Sequence, residues 1–146
     1  MPFQFSLAAV LKFRESIEQR EYLALERIHQ EVAHMEAQLR QIEEWRQAAA
    51  RRREADLAEG IPSIHLQGDF QQELSLEQQR DAFLVRMQEL KAKRQIHLKA
   101  YQKARQKREV LAELRARQQG AYDREQAKRQ QNMIDDLFLS RRKRSE

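Results

Sequence analysis

Apolar side chains recur along the first half of the chain with helical spacing. Leu25, Ile28, Val32, Met35, Leu39 and Ile42 follow one another at steps of 3, 4, 3, 4 and 3. In the second half Leu76, Arg80, Phe83, Met87, Leu90, Arg94, His97, Tyr101, Ala104, Arg108 and Leu111 keep the same alternation. A 3–4 repeat places one narrow stripe along a helix and is the pattern of left-handed, knobs-into-holes helix pairing. Between the halves stands AEGIPSIHLQGDF, residues 58–70, with two of the three glycines and one of the two prolines. Gly60 just past a helical pattern supplies a left-handed cap, and Pro62 stops continuation. Asp69 with Gln72, and Ser75 with Gln78, have the spacing of capping boxes, so the second helix is expected to start near 69 or 75. The prediction is an all-α fold, a long antiparallel two-helix coiled-coil hairpin. It comprises one unit over residues 1–146, with helix one at about 5–59, a tip loop at about 60–69 and helix two at about 70–141.

At ~1.5 Å per residue the arms are unequal, roughly 80 and 105 Å, so helix two is expected to run some 20 Å past the start of helix one. One antiparallel register sets Ile42 against Met87, Leu39 against Leu90, Val32 against His97, Ile28 against Tyr101 and Leu25 against Ala104. It also sets Glu21 against Arg108 and Leu7 against Tyr122, with a poor match of Arg14 to Arg115. A slide by one heptad would satisfy the same pattern.

Composition supports the helical reading. Charged residues make up 35% and apolar residues 40%, low for a rounded core, with a mean hydropathy of -0.93. Such a chain, poor in glycine and proline, is typical of coiled coils. Residues 1–60 carry nine Lys/Arg against eleven Asp/Glu and the remainder nineteen against twelve, so adjacent halves would attract. Without cysteine, disulfides and thiolate chemistry are excluded. No apolar run reaches the ~20 residues of a membrane span. The N-terminus lacks the leading positive charge of a signal peptide. A soluble cytoplasmic protein is expected.

No pattern for catalysis emerges. His29 and His34 do not share a helix face and form no metal pair; HExxH, glycine-rich phosphate loops and GxSxG are absent. A two-helix hairpin has no pocket in which to tune its carboxylates. Neither enzyme, cofactor nor metal is expected. Residues 91–117 hold ten Lys/Arg against two acids, but these cations interleave with the apolar seam, which favours an acidic protein partner over nucleic acid. Two apolar clusters fall at one end of such a hairpin: Phe3, Phe5, Leu7, Val10, Leu11 and Phe13, and Met133, Ile134, Leu137, Phe138 and Leu139. The sequence leaves open whether they cover each other or, beside Arg141, Arg142 and Arg144, meet a partner. The same choice stands for Ile61, Ile64, Leu66, Phe70 and Leu74 at the tip. A generic coiled-coil scaffold is the plain alternative.

The opening MPFQFSLAAVLKFRESIEQREYLALERI, with its aromatic–leucine start, basic segment and Glu-rich helix, resembles the FliJ family of bacterial flagellar export proteins. The ending QNMIDDLFLSRR is similar to that family's final helix segment, and the likeness covers essentially the whole chain. It implies a non-enzymatic hairpin resembling the central stalk of rotary ATPases. Such a protein enters or caps the pore of a hexameric export ATPase (FliI-like). It also contacts the cytoplasmic domain of an export gate protein (FlhA-like) and cycles export chaperones, at the inner face of the membrane at the flagellar base and without binding nucleic acid. Carried over by position, the resemblance implies an ATPase-binding end at Phe5, Leu7, Leu11, Arg14, Met133, Asp136, Leu137, Arg141 and Arg142. It implies a gate contact near Phe70, Leu74, Glu77, Arg80, Asp81 and Leu84, where DFQQELSLEQQRDAFL departs from the family's apolar spacing. Stalk proteins of virulence-type III secretion systems (YscO type) are a related alternative.

Overall fold

The computed structural model describes residues 2–60 and 63–145. Two helices account for nearly all of it: α1, Ala8–Glu59, and α2, Ser63–Ser145. They pack antiparallel as a hairpin, and no strand occurs among the described residues. The chain divides into two compact units, the central Glu21–Tyr101 and a terminal unit formed by the chain up to Arg20 together with Gln102 onward.

In the central unit the 3–4 stripe of α1 is the core. Leu25, Ile28, Val32, Ile42 and Ala49 are buried, as are Leu76, Met87 and Leu90 of α2. Ile28, Val32 and Leu90 form one cluster, with Met35 packed against it. Tyr22 and Tyr101 meet with their rings tilted by 53° and 6.0 Å between centroids. The margins carry charge: Arg53 Nη1 donates to Glu73 Oε2 at 2.7 Å, and His97 Nδ1 lies 3.9 Å from Glu21 Oε2.

The terminal unit is built more thinly. Phe5, Leu11 and Ala104 are its buried apolar side chains. Phe3 packs on Tyr122 with centroids 5.6 Å apart. Arg108 grips Glu18 with two hydrogen bonds, Nε to Oε2 at 2.6 Å and Nη2 to Oε1 at 3.2 Å. That grip stabilises the charged guanidinium and raises its pKa further. The Ala8 N–H donates to the Phe5 carbonyl, so the chain before α1 is held rather than trailing.

Two expectations are corrected. The register differs: Val32 clusters with Leu90 rather than facing His97, Tyr101 meets Tyr22 rather than Ile28, and Arg108 pairs with Glu18 rather than Glu21. The helices are thus slid by about three to seven residues, up to one heptad, a shift that keeps apolar against apolar because the repeat matches itself. The tip also differs. Gly60 has the expected left-handed φ of 72°, its N–H reaching back to the Leu57 carbonyl. But α2 begins at Ser63, not at 69 or 75, so Asp69 and Ser75 are interior to the helix and cap nothing. Ile64, Leu66, Phe70 and Leu74 are therefore helical; Ile61 and Pro62 lie outside the described residues. Gly68 costs α2 roughly 1 kcal/mol relative to alanine, yet the helix runs through it unbroken.

The chain has no cysteine to interfere with a cross-linking test of the register. Val32→Cys with Leu90→Cys is expected to form a disulfide on mild oxidation, seen as a mobility shift. Val32→Cys with His97→Cys is expected to stay reduced; the reverse result would restore the sequence-derived register. Leu90 is 2% exposed, and Leu90→Ala is expected to cost about 2–4 kcal/mol in denaturant unfolding. Ile96→Ala, at a surface position, should stay within about 0.5 kcal/mol.

Candidate partner-binding surfaces

In the terminal unit Tyr122 is the last α2 residue with a ring contact to the N-terminal segment. Nearly every residue from 123 to 145 is exposed. Local pairs hold this stretch of helix: Glu125 with Arg129 at 3.1 Å, and Gln131 donating to Asp135 at 3.1 Å. Arg142, Lys143 and Arg144 occupy its last turn, where cations complement the helix dipole. Steps of four, seven and four from Tyr122 lead to Gln126, Met133 and Leu137, so the face covered earlier in α2 continues uncovered. Met133, Ile134, Leu137 and Phe138 lie on it, between 58% and 66% exposed.

The positions named for the ATPase-binding end therefore separate. Phe5 and Leu11 are buried and Arg14 is half-buried, in the packed part of the unit. Leu7, Met133, Asp136, Leu137, Arg141 and Arg142 are exposed. Arg141 lies in line with the apolar stripe, while Asp136 and Arg142 lie round the helix from it at about 100° per residue. The two apolar clusters do not form a joint core: the N-terminal one packs near Tyr122, the C-terminal one begins eleven residues further on.

A family model, Flagellar FliJ protein, matches residues 3–146. The chain belongs to the FliJ family. It is thereby associated with flagellar protein export, in a family that is a non-catalytic component of the export apparatus. No curated protein and no solved structure matches the chain.

In the central unit of this FliJ family member, the six residues named for gate contact fall into a clear arrangement. Phe70, Leu74, Glu77, Asp81 and Leu84 step by 4, 3, 4 and 3, and all five are exposed, Phe70 at 60%. They form one outward stripe on α2. Arg80 stands off it, half-buried. Glu77 also borders a cleft with Glu43, Arg46, Gln47, Ala50, Arg53 and Glu73.

Sequence reading passed over two features here. Trp45 is 52% exposed and lines a shallow apolar cleft with Ile42, Gln79 and Phe83; its place one step off the α1 seam was the available signal. Near the tip, Asp56 of α1 faces Asp69 of α2. A hydrogen bond with Asp69 raises the Asp56 pKa from its ordinary value, with partial burial and the charges of Asp69 and Glu59 adding to the rise and His65 opposing it. Asp69 Oδ2 and Glu73 Oε1 are buried without a hydrogen-bond partner, which is the setting in which a shared proton is favoured. Among the described residues no group of His, Asp or Glu could hold a metal ion, and no helix is long and apolar enough to cross a membrane.

The folded state binds the Asp56 proton more tightly than the unfolded chain does. Its contribution is complete below the unfolded carboxylate pKa of about 4 and is lost as pH rises through the raised folded value. Asp56→Asn, which keeps a donor to Asp69 at every pH, is expected to slow amide exchange around residues 50–59 and 63–73 near neutral pH and to match the parent near pH 4. Equal exchange at neutral pH would show that the two carboxyls do not interact.

Proposed function

We propose that the chain is a non-enzymatic, stalk-like subunit that binds a hexameric flagellar export ATPase through the uncovered end of α2. One observation carries this reading: residues 123–145 continue the apolar stripe without a covering helix and finish in four consecutive cations, Arg141, Arg142, Lys143 and Arg144. Apolar anchors beside cations suit a channel mouth lined with apolar and acidic groups. Leu7, Arg14, Met133, Asp136, Leu137, Arg141 and Arg142 are assigned to the contact. Phe5 and Leu11, being buried, hold the N-terminal segment in place instead of touching the ATPase. One hairpin in a six-fold ring meets its subunits unequally. It biases their nucleotide states if contact energies differ between those states.

The outward stripe of Phe70, Leu74, Glu77, Asp81 and Leu84 is the proposed contact with the export gate, Arg80 adding charge at its margin. Under this reading the protein works with export chaperones at the inner face of the membrane, held there by the apparatus. The apolar spacing and the family together favour this over a scaffold without an ATPase partner.

Met133→Gln with Leu137→Gln tests the ATPase contact at two exposed positions with a residue of similar helix propensity, so helicity by circular dichroism should be unchanged. Stimulation of the matching ATPase's turnover is expected to need at least about tenfold more protein, about 1.4 kcal/mol of lost binding. Undiminished stimulation by the folded double variant would remove the ATPase contact from this end of α2.

A further inference from the structure

The terminal unit carries a second stripe, on the outward side of α2, that neither end contact uses. Lys103, Lys107, Val110, Leu114, Arg117 and Ala121 step by 4, 3, 4, 3 and 4, and the alternation runs on to Arg124 and Lys128. At about 100° per residue the stripe lies about 120° round the helix from Ala104, Arg108 and Tyr122, which face the N-terminal segment. Seven of its eight residues are exposed and Leu114 is half-buried. Val110, a β-branched aliphatic in the middle of a water-facing row, is 65% exposed.

The charges on this row are of one sign. Lys103, Lys107, Arg117, Arg124 and Lys128 make no ion pair among the described residues. The nearby acids are engaged or set aside: Glu109 accepts from Arg105 at 2.8 Å, Glu125 from Arg129 and Asp123 from Gln119, while Glu113 stands on the flank. On this α2, therefore, one 3–4 stripe is spent on the hairpin, and another has aliphatic residues at its centre and unpaired cations towards both ends.

We propose that this row docks an amphipathic helix of a partner protein, its apolar face on Val110, Leu114 and Ala121 and its flanks acidic. The 3–4 spacing, sustained over 26 residues or about 37 Å, is what a second helix lying alongside requires. The cations set the sign of the partner and its orientation, and speed its capture. A nucleic acid would use the cations equally well. It would leave Val110 and Leu114 opposite phosphate or sugar, and the row has no aromatic side chain on which a base stacks. The site rests on other residues than the ATPase contact: Arg124 and Lys128 lie at the start of the uncovered stretch of α2, but none of the eight is among the residues assigned to that contact.

The test uses the full chain and a labelled synthetic peptide of about 28 residues, with leucines at 3–4 spacing flanked by glutamates, followed by fluorescence anisotropy. The patterned peptide is expected to bind at least about tenfold tighter than a scrambled peptide of equal composition. Val110→Ser, and Lys107→Glu with Arg117→Glu, are each expected to weaken it about tenfold with helicity unchanged. Three outcomes would overturn the proposal: no binding, full binding by both variants, or a scrambled peptide or single-stranded oligonucleotide of matching charge binding as tightly as the patterned one. The last would mark the row as a polyanion surface with steep salt dependence.

Discussion

A seam one side chain wide decides everything else in this molecule. Two helices offer each other a single stripe each, and no third layer exists to cover what remains. In the central unit that stripe is filled by Ile28, Val32 and Leu90 and their neighbours, with no buried polar side chain among the described residues. Each apolar contact contributes through area removed from water, roughly 25 cal/mol per Å². Polar pairs such as Arg53–Glu73 and Glu18–Arg108 sit at the seam's edge, half in water. There they contribute little free energy individually, yet they discriminate between registers that the apolar repeat treats alike.

The same narrowness leaves most of each helix facing water. The clefts among the described residues are open ones, such as that beside Trp45, Ile42 and Phe83. Each helix therefore presents more than one face to solvent. Exposed apolar residues such as Phe70, Leu74, Met133 and Leu137 would be a liability on a monomer meant to stay alone. On a family member associated with export machinery they are ordered along helix faces, which is the arrangement the contacts proposed above would use.

Much of the fold was legible in the residues, and the failures have physical causes. Leu25, Ile28, Val32 and Ile42 read as core because their period leaves no other face, and Gly60 read as a helix end because only its left-handed φ closes α1 there. The register was not legible: a heptad repeat looks the same after sliding, and only specific pairs, Tyr22 with Tyr101 or Glu18 with Arg108, break the tie. The start of α2 was misread because Gly68 and Asp69 suggest a loop by local preference, which contacts across the hairpin overrode. At the candidate surfaces, Phe5 and Leu11 were named as contacts by the family resemblance and are buried; their apolar pattern alone had left a local core open. The exposure of Met133 and Leu137 followed from α2 outrunning its partner, which the unequal arms already foretold. The basic stretch after residue 91 was visible as composition, but its ordering into a row appears only once the seam fixes which way the helix faces.

The solitary last stretch of α2 has a consequence for how tightly anything can hold it. A helix of some twenty residues standing by itself in water is near the midpoint between coil and helix, and here only short-range side-chain pairs support it. Any partner that grasps this stretch must therefore supply the free energy of keeping it wound. Grip strength then depends on residues that never touch the partner at all, so that replacing a solvent-facing glutamine by alanine or glycine tunes the hold like a dial.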